Sequence, residues 1–211
     1  MSRDTEMMKT LHRSYSRLIG CPSKASTIIK DLQTKNEYIL SSNSIYAYLR
    51  NLQQIFVIEE ANAWNPNLRS KTATRTSNTN YFIDPSIATA ALGFSPNDLI
   101  NDLKTMGFLF ENLCIRDLRI YSQKLGGQVF HYRDKYGLEC DAIIHLENGS
   151  YALVEIKLGG DKSIEEGAKV LNKLSEIIDS NNMKKPSFKM VLTGVGNFAY
   201  KRKDNILIVA Q

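Results

Sequence analysis

The stretch that most constrains the fold is Tyr151–Leu158, YALVEIKL. It reads as a strand of nearly continuous apolar residues with two opposite charges, Glu155 and Lys157, set into it. Successive side chains on a strand point to opposite faces. Glu155 and Lys157 therefore share one face, and Val154, Ile156 and Leu158 share the other. Charges are seldom buried without a partner or a metal. Either this is a half-exposed edge strand, or the pair is placed there for chemistry.

With 211 residues the chain can form one large domain or two small ones, and either can bury a core. No apolar stretch approaches the roughly 18 residues needed to cross a membrane, so no membrane partner is expected. The start, MSRDTEMMKTLHRSY, lacks the apolar centre of a signal peptide. The cysteines (Cys21, Cys114, Cys140) are far apart and odd in number, which suits a reducing, cytoplasmic setting. They form no zinc pattern with His12, His131 and His145. A net charge of +5 permits nucleic acid as a partner without demanding it. LGGDKS at 158–163 lacks the spacing of a phosphate-cradling loop, so no ATP site is expected in this chain.

The first third has helical periodicity. DTEMMKTLHRSYSRLIG carries apolar residues at Met7 and Met8, Leu11, Tyr15, and Leu18 and Ile19, and stops at Gly20. SKASTIIKDLQ predicts a short helix capped by Ser26, and SSNSIYAYLRNLQQIF a third helix with Ile45, Tyr48 and Leu49, Leu52, and Ile55 and Phe56 on its buried face. FVIEE and NYFID read as strands on either side of a long polar loop. Three helices and two strands around a basic loop is the winged helix-turn-helix order. The exposed face of the third helix would carry Arg50 to DNA, and the loop would carry Arg69, Lys71 and Arg75. The alternatives are a plain helical bundle and a solvated loop.

A boundary is expected near the Ser95–Pro96 helix start, dividing a winged-helix-like domain at 1–98 from an α/β domain at 99–211. The second half reads as a long helix closed by Gly126 and Gly127, then strands QVFHYR, LECDAIIHL and YALVEIKL. A helix follows, with Ser163 and Glu166 at capping-box spacing, and then strands FKMVLTG and NILIVA.

Asp141 lies on the strand preceding Glu155 and Lys157, in a D-x13-E-x-K arrangement. Two carboxylates on adjacent strands can supply the protein share of a Mg²⁺ or Mn²⁺ site. A lysine facing the same way can hold water or stabilise phosphate charge, as metal-assisted phosphodiester hydrolysis requires. Register decides whether this works. A two-residue turn would set Asp141 opposite Ile156, on the wrong face. A three-residue loop, Glu147–Asn148–Gly149 with Gly149 left-handed and a bulge after it, sets it opposite Glu155, so that loop, or a bulge elsewhere in the hairpin, is expected. Glu111, on the long helix, is a third candidate ligand, its alternative being a side chain that reaches for the rim. Glu139 is an outer candidate better read as a surface residue, and His131 and His145 read as sheet residues. The bland reading of the whole set is a surface Glu–Lys pair of little consequence.

These residues resemble the PD-(D/E)XK, restriction-endonuclease-like superfamily. The chain is similar, more closely, to the C-terminal half of a bacterial and archaeal group of AAA-type P-loop ATP-binding proteins. The phrases that carry the likeness are LHRSYSRLIGCPSKASTIIKDL, YLRNLQQIFVIEEANAWNPNLRSK, YFIDPSIATAALG, GFLFENLCIRDLRIY, HYRDKYGLECDAIIHLENGSYALVEIKLG and LTGVGNFAYKR. The resemblance implies a winged helix followed by a nuclease-like domain with a mixed sheet. It implies metal-binding acids at Asp141 and Glu155, a catalytic lysine at Lys157 and a helix glutamate at Glu111. Cys140 stands where the superfamily name has proline. The ATPase half common in that group is missing here, so this is either a fragment or a stand-alone version; the resemblance implies an ATPase domain as partner and assigns no ATP use to this chain.

The leading expectation is a Mg²⁺-dependent nuclease-like protein acting on DNA. The rival is a non-catalytic module that binds DNA or protein and regulates an ATPase. A third is an interaction domain assembling into a homo-oligomer.

Overall fold

The computed structural model describes residues 5–34, 41–66, 77–178 and 184–211. The protein is mixed α/β, and its chain divides into two compact units, Met1–Ala61 with Ser77–Asn112 and Asn62–Thr76 with Leu113–Gln211.

In the first unit, α1 (Thr5–Ser16), α2 (Ala25–Thr34) and α3 (Ser42–Gln54) precede an antiparallel pair, β1 (Ile58–Ala61) and β2 (Thr79–Phe82). The helices bury Met7, Leu11 and Tyr15; Ile28 and Leu32; and Ile45, Leu49 and Leu52, but Ile55 and Phe56, expected on the same face of α3, are exposed because the helix ends at Gln54. Asp31 ties α2 to α1 by accepting from the Ser14 hydroxyl (2.6 Å) and pairing with Arg17. Ser41 caps α3 through the Ser44 amide. The expected cap at Ser26 is not formed: α2 begins at Ala25, leaving Ser26 inside the first turn. α4 (Pro85–Leu92) and α5 (Pro96–Asn101) follow, and α5 starts with a capping box between Ser95 and Asp98.

α6 (Leu103–Gln123) is followed by β3 (Gly127–Arg133), β4 (Glu139–Leu146), β5 (Tyr151–Lys157), α7 (Asp161–Ile177), β6 (Lys189–Thr193), β7 (Tyr200–Lys201) and β8 (Ile206–Ala210). The sheet order is β3-β4-β5-β6-β8-β7. β3, β4 and β5 run antiparallel, β5, β6 and β8 run parallel, and the short β7 closes the edge antiparallel to β8. β5 is thus interior, which explains its apolar run: every residue except Lys157 is buried. Ile164, Ala168, Leu171 and Leu174 of α7 pack into one cluster with Ile143, Leu153, Val191 and Ile208 of the sheet. At about 1.5–3 kcal/mol per large apolar side chain removed from water, this helix face is a main source of the unit's stability. The capping box expected at Ser163 and Glu166 is absent. α7 starts two residues earlier, after Gly160, and its first turn carries Asp161 instead.

The β4–β5 loop is the three-residue one. The Leu146 amide donates to Ser150 O (2.8 Å) and the Gly149 amide to Leu146 O (2.9 Å), enclosing Glu147, Asn148 and Gly149. Gly149 has φ +79°, and open space surrounds its Cβ direction. Gly149→Val should therefore act through backbone strain alone, lowering stability by about 1–2 kcal/mol in urea denaturation. Gly149→Asn should cost less.

Candidate functional site

The loop sets the β4–β5 register at His145↔Tyr151, Ile144↔Ala152, Ile143↔Leu153 and Ala142↔Val154. The next position in that register sets Asp141 against Glu155, on one face of the sheet. β4 also carries one residue more than β3 at this point. Phe130 pairs with Ile143 and Tyr132 with Cys140, leaving Asp141 and Ala142 opposite His131 alone. A bulge of this kind bends the strand and re-aims a side chain. Here the Asp141 carboxylate turns onto β5, where its Oδ2 accepts from the Ile156 amide at 2.7 Å.

Lys157 closes the group. Its ammonium lies 2.6 Å from Glu155 Oε2 and 3.3 Å from Asp141 Oδ2, so one cation bridges two carboxylates. Glu155 is 2% exposed, whereas Asp141 and Lys157 keep partial access to solvent. The burial of Glu155 has a specific cause in α7. Gly167 passes over it so closely that an added Cβ would lie 3.3 Å from Glu155 Cβ and 3.6 Å from Lys157 Cε. Glycine inside a helix costs roughly 1 kcal/mol relative to alanine, and close approach over the charged pair is what it permits here.

With both carboxylates ionised the group would lack one positive charge, and Glu155 Oε1 is buried without a hydrogen-bond partner. Burial, and next the charge of Asp141, push the Glu155 carboxyl up to about 8 against the opposing pull of Lys157. Burial alone would lower Lys157, but the facing carboxylates override it and hold its pKa above the ordinary value. The neighbouring Cys140 thiol is raised well above its usual range, first by burial and then by Glu155 and Asp141. It therefore stays protonated and inert.

A small hard cation such as Mg²⁺ commonly takes one or two carboxylates from the protein and fills its remaining positions with water and substrate phosphate. Asp141, Glu155 and the unpartnered Oε1 fit that requirement, on condition that the Lys157 ammonium moves off the carboxylates. Among the described residues no cluster of three or more His, Cys, Asp or Glu side chains gathers at one point.

Glu111 lies in the first unit, where its Oε1 accepts from the Tyr81 hydroxyl at 2.6 Å. Glu139 is exposed and pairs with Arg133 at 2.9 Å. Arg50 is exposed on α3, while Arg69, Lys71 and Arg75 lie outside the described residues. His131 is 4% exposed with both ring nitrogens unpartnered, and burial, then Arg133, lower its pKa to about 4. It is a neutral ring beside the bulge. Gly167 and the Ile156 amide are site elements that the motif does not contain. The signal for Gly167 was a glycine inside an otherwise regular helical pattern.

The domain of unknown function DUF4143 matches residues 106–210, and the domain of unknown function DUF8612 matches residues 1–98. No curated protein and no solved structure matches the chain. No helix among the described residues is long and apolar enough to cross a membrane.

The raised Glu155 pKa predicts a pH effect. The folded state holds this proton more tightly than the unfolded chain, so the group's contribution falls as pH rises from about 4.5 towards 8. Glu155→Gln removes that dependence. The stability of the variant relative to wild type should rise between pH 5 and pH 8, as read by chemical denaturation at both.

Proposed function

We propose that the second unit is a restriction-endonuclease-like domain of the PD-(D/E)XK type, hydrolysing DNA phosphodiesters with Mg²⁺ or Mn²⁺. We infer that the first unit is a winged helix presenting α3 and Arg50 to DNA, and that the chain serves a P-loop ATPase in the cytoplasm. The observation that carries the reading is the convergence of Asp141, Glu155 and Lys157 on one face, with a buried carboxylate oxygen left over. The order of three helices and a β pair supports the winged helix, and the β3-β4-β5-α7-β6 order supports the nuclease-like domain. The DUF4143 match supports the association with ATPases.

In this reading Asp141 and Glu155 would hold the metal ion, which would supply positive charge to the scissile phosphate and acidity to a bound water. Asp141 is kept in place by the Ile156 amide, so its orientation does not depend on Lys157. Glu155 would hold such an ion in its ionised form, and Lys157, if displaced from the two carboxylates, would hold the attacking water or a phosphate oxygen. α7 keeps the Glu155 end dry, which strengthens each of these interactions.

One observation favours a second reading, a non-catalytic DNA- or protein-binding regulator of the ATPase. Lys157 already pairs with one oxygen of each carboxylate, so the trio is also an internal ion-pair set. The test is cleavage of plasmid and branched DNA with Mg²⁺ or Mn²⁺. Asp141→Asn keeps an acceptor for the Ile156 amide and removes the charge. Asp141→Asn and Lys157→Ala should each slow cleavage by about 10²-fold or more. Mn²⁺ should raise the melting temperature of the wild type and not of Asp141→Asn. Cleavage that is absent, or equal in wild type and variants, rejects hydrolysis and leaves the regulatory reading.

A further inference from the structure

β6 ends at Thr193, which lies opposite Lys157, so the chain leaving β6 starts beside the carboxylate–lysine group. Its root is fixed there. The Gly194 amide donates to Lys157 O at 3.2 Å, and the Thr193 hydroxyl donates to Val195 O at 3.1 Å. Val195 lies over Gly159, where an added Cβ would come within 2.7 Å of Val195 Cγ2. Phe198 follows Gly194 after at most roughly 14 Å of chain, and Tyr200 then opens β7 at the edge of the sheet.

This segment turns apolar surface to solvent. Val195, Phe198 and Tyr200 are 66%, 71% and 42% exposed, and the Phe198 and Tyr200 rings meet each other at 5.9 Å, tilted by 57°. Apolar residues scattered singly over a surface need no explanation. Two aromatic rings and a valine in one short segment, at the rim of a candidate site, do.

The charges around the rings indicate what kind of partner fits. Arg202 is committed to Glu165 of α7 and to Asp204. Lys201 and Lys203, on either side of it, are exposed and form no ion pair among the described residues. Flat apolar rings followed by unpaired ammonium groups match a chain that alternates flat bases with phosphates. An apolar protein surface would leave the ammonium groups unanswered, and a duplex keeps its base faces inside the stack.

We propose that residues 194–203 form a stacking platform for single-stranded DNA. One base lies on Phe198, a neighbouring base on Tyr200, and the phosphates meet Lys201 and Lys203. The platform leads the strand along the sheet edge towards Lys157 and Asp141. That last step rests on the nuclease reading; the stacking itself does not.

The experiment is fluorescence anisotropy with the full chain, in EDTA at low ionic strength. The probes are a labelled oligothymidylate of about 12 nucleotides and a duplex of the same length. Phe198→Ala, Phe198→Leu and Tyr200→Leu should each weaken single-strand binding about tenfold. The same changes should leave duplex binding and the melting temperature unaltered, because the rings are exposed. Phe198→Leu keeps an apolar side chain and loses the flat ring, so its loss of affinity is a result that a merely apolar or structural role would not give. Lys201→Gln combined with Lys203→Gln should reduce the log–log salt slope by roughly 1.4. Absent single-strand binding, binding untouched by the ring variants, an equal loss on duplex, or an unchanged salt slope overturns the proposal. Because metal is withheld, hydrolysis is judged separately. Ring-dependent binding without cleavage in Mg²⁺ rejects hydrolysis alone, and cleavage with ring-independent binding rejects the platform alone.

Discussion

Glu155 is taken out of water by α7, and the energetic cost of that burial shapes its surroundings. A carboxylate in a dry interior must find a cation, take up a proton or be relocated. Lys157 supplies the first remedy from two residues along the same strand, and the upward shift of the Glu155 pKa is the second in progress. Asp141 shares the cation and, by adding a second negative charge opposite, drives Glu155 further towards the second remedy. A sheet built only for stability would place an apolar residue at one of these positions, since buried ion pairs seldom outperform good packing. The group is held at some expense to the fold.

The means by which it is held are modest. A three-residue loop with one left-handed glycine sets the register, and one extra residue in β4 turns the Asp141 carboxylate onto the Ile156 amide. A helix glycine lets α7 come close. None of these elements carries chemistry itself. Together they bring residues that are 14 and 16 positions apart in sequence to hydrogen-bonding range.

Much of this was legible beforehand, for identifiable reasons. The apolar run of β5 marks an interior strand, and the two charges in it are conspicuous because a two-residue period fixes their common face. The Glu147–Gly149 loop could be inferred because only an odd length leaves the carboxylates together. The stripes of α1 and α3 follow from their periodicity. Less legible were the ends of helices, where several residues compete to cap. Ser26 and Ser163 both fit the pattern and neither is used, because the helix in each case begins before it. The β4 bulge and the closeness of Gly167 depend on contacts between distant segments, which no local pattern encodes. The two-residue β7 is too short for alternation to register. Glu111 reads plausibly as an acid on a packed helix face, and its visible partner, Tyr81, comes from a strand 30 residues upstream.

The glycine at 167 has a consequence for reading other chains of this kind. Where α7 crosses the charged strand, its thickness is that of bare backbone, so the roof over the acids is set by a missing atom group. In a relative with a branched or bulky residue at the corresponding place, either the helix stands off or Glu155 and Lys157 are displaced together. That position therefore works as a gauge: its occupant tells whether a homologous domain can still assemble the trio, even where the three ionisable residues themselves survive intact.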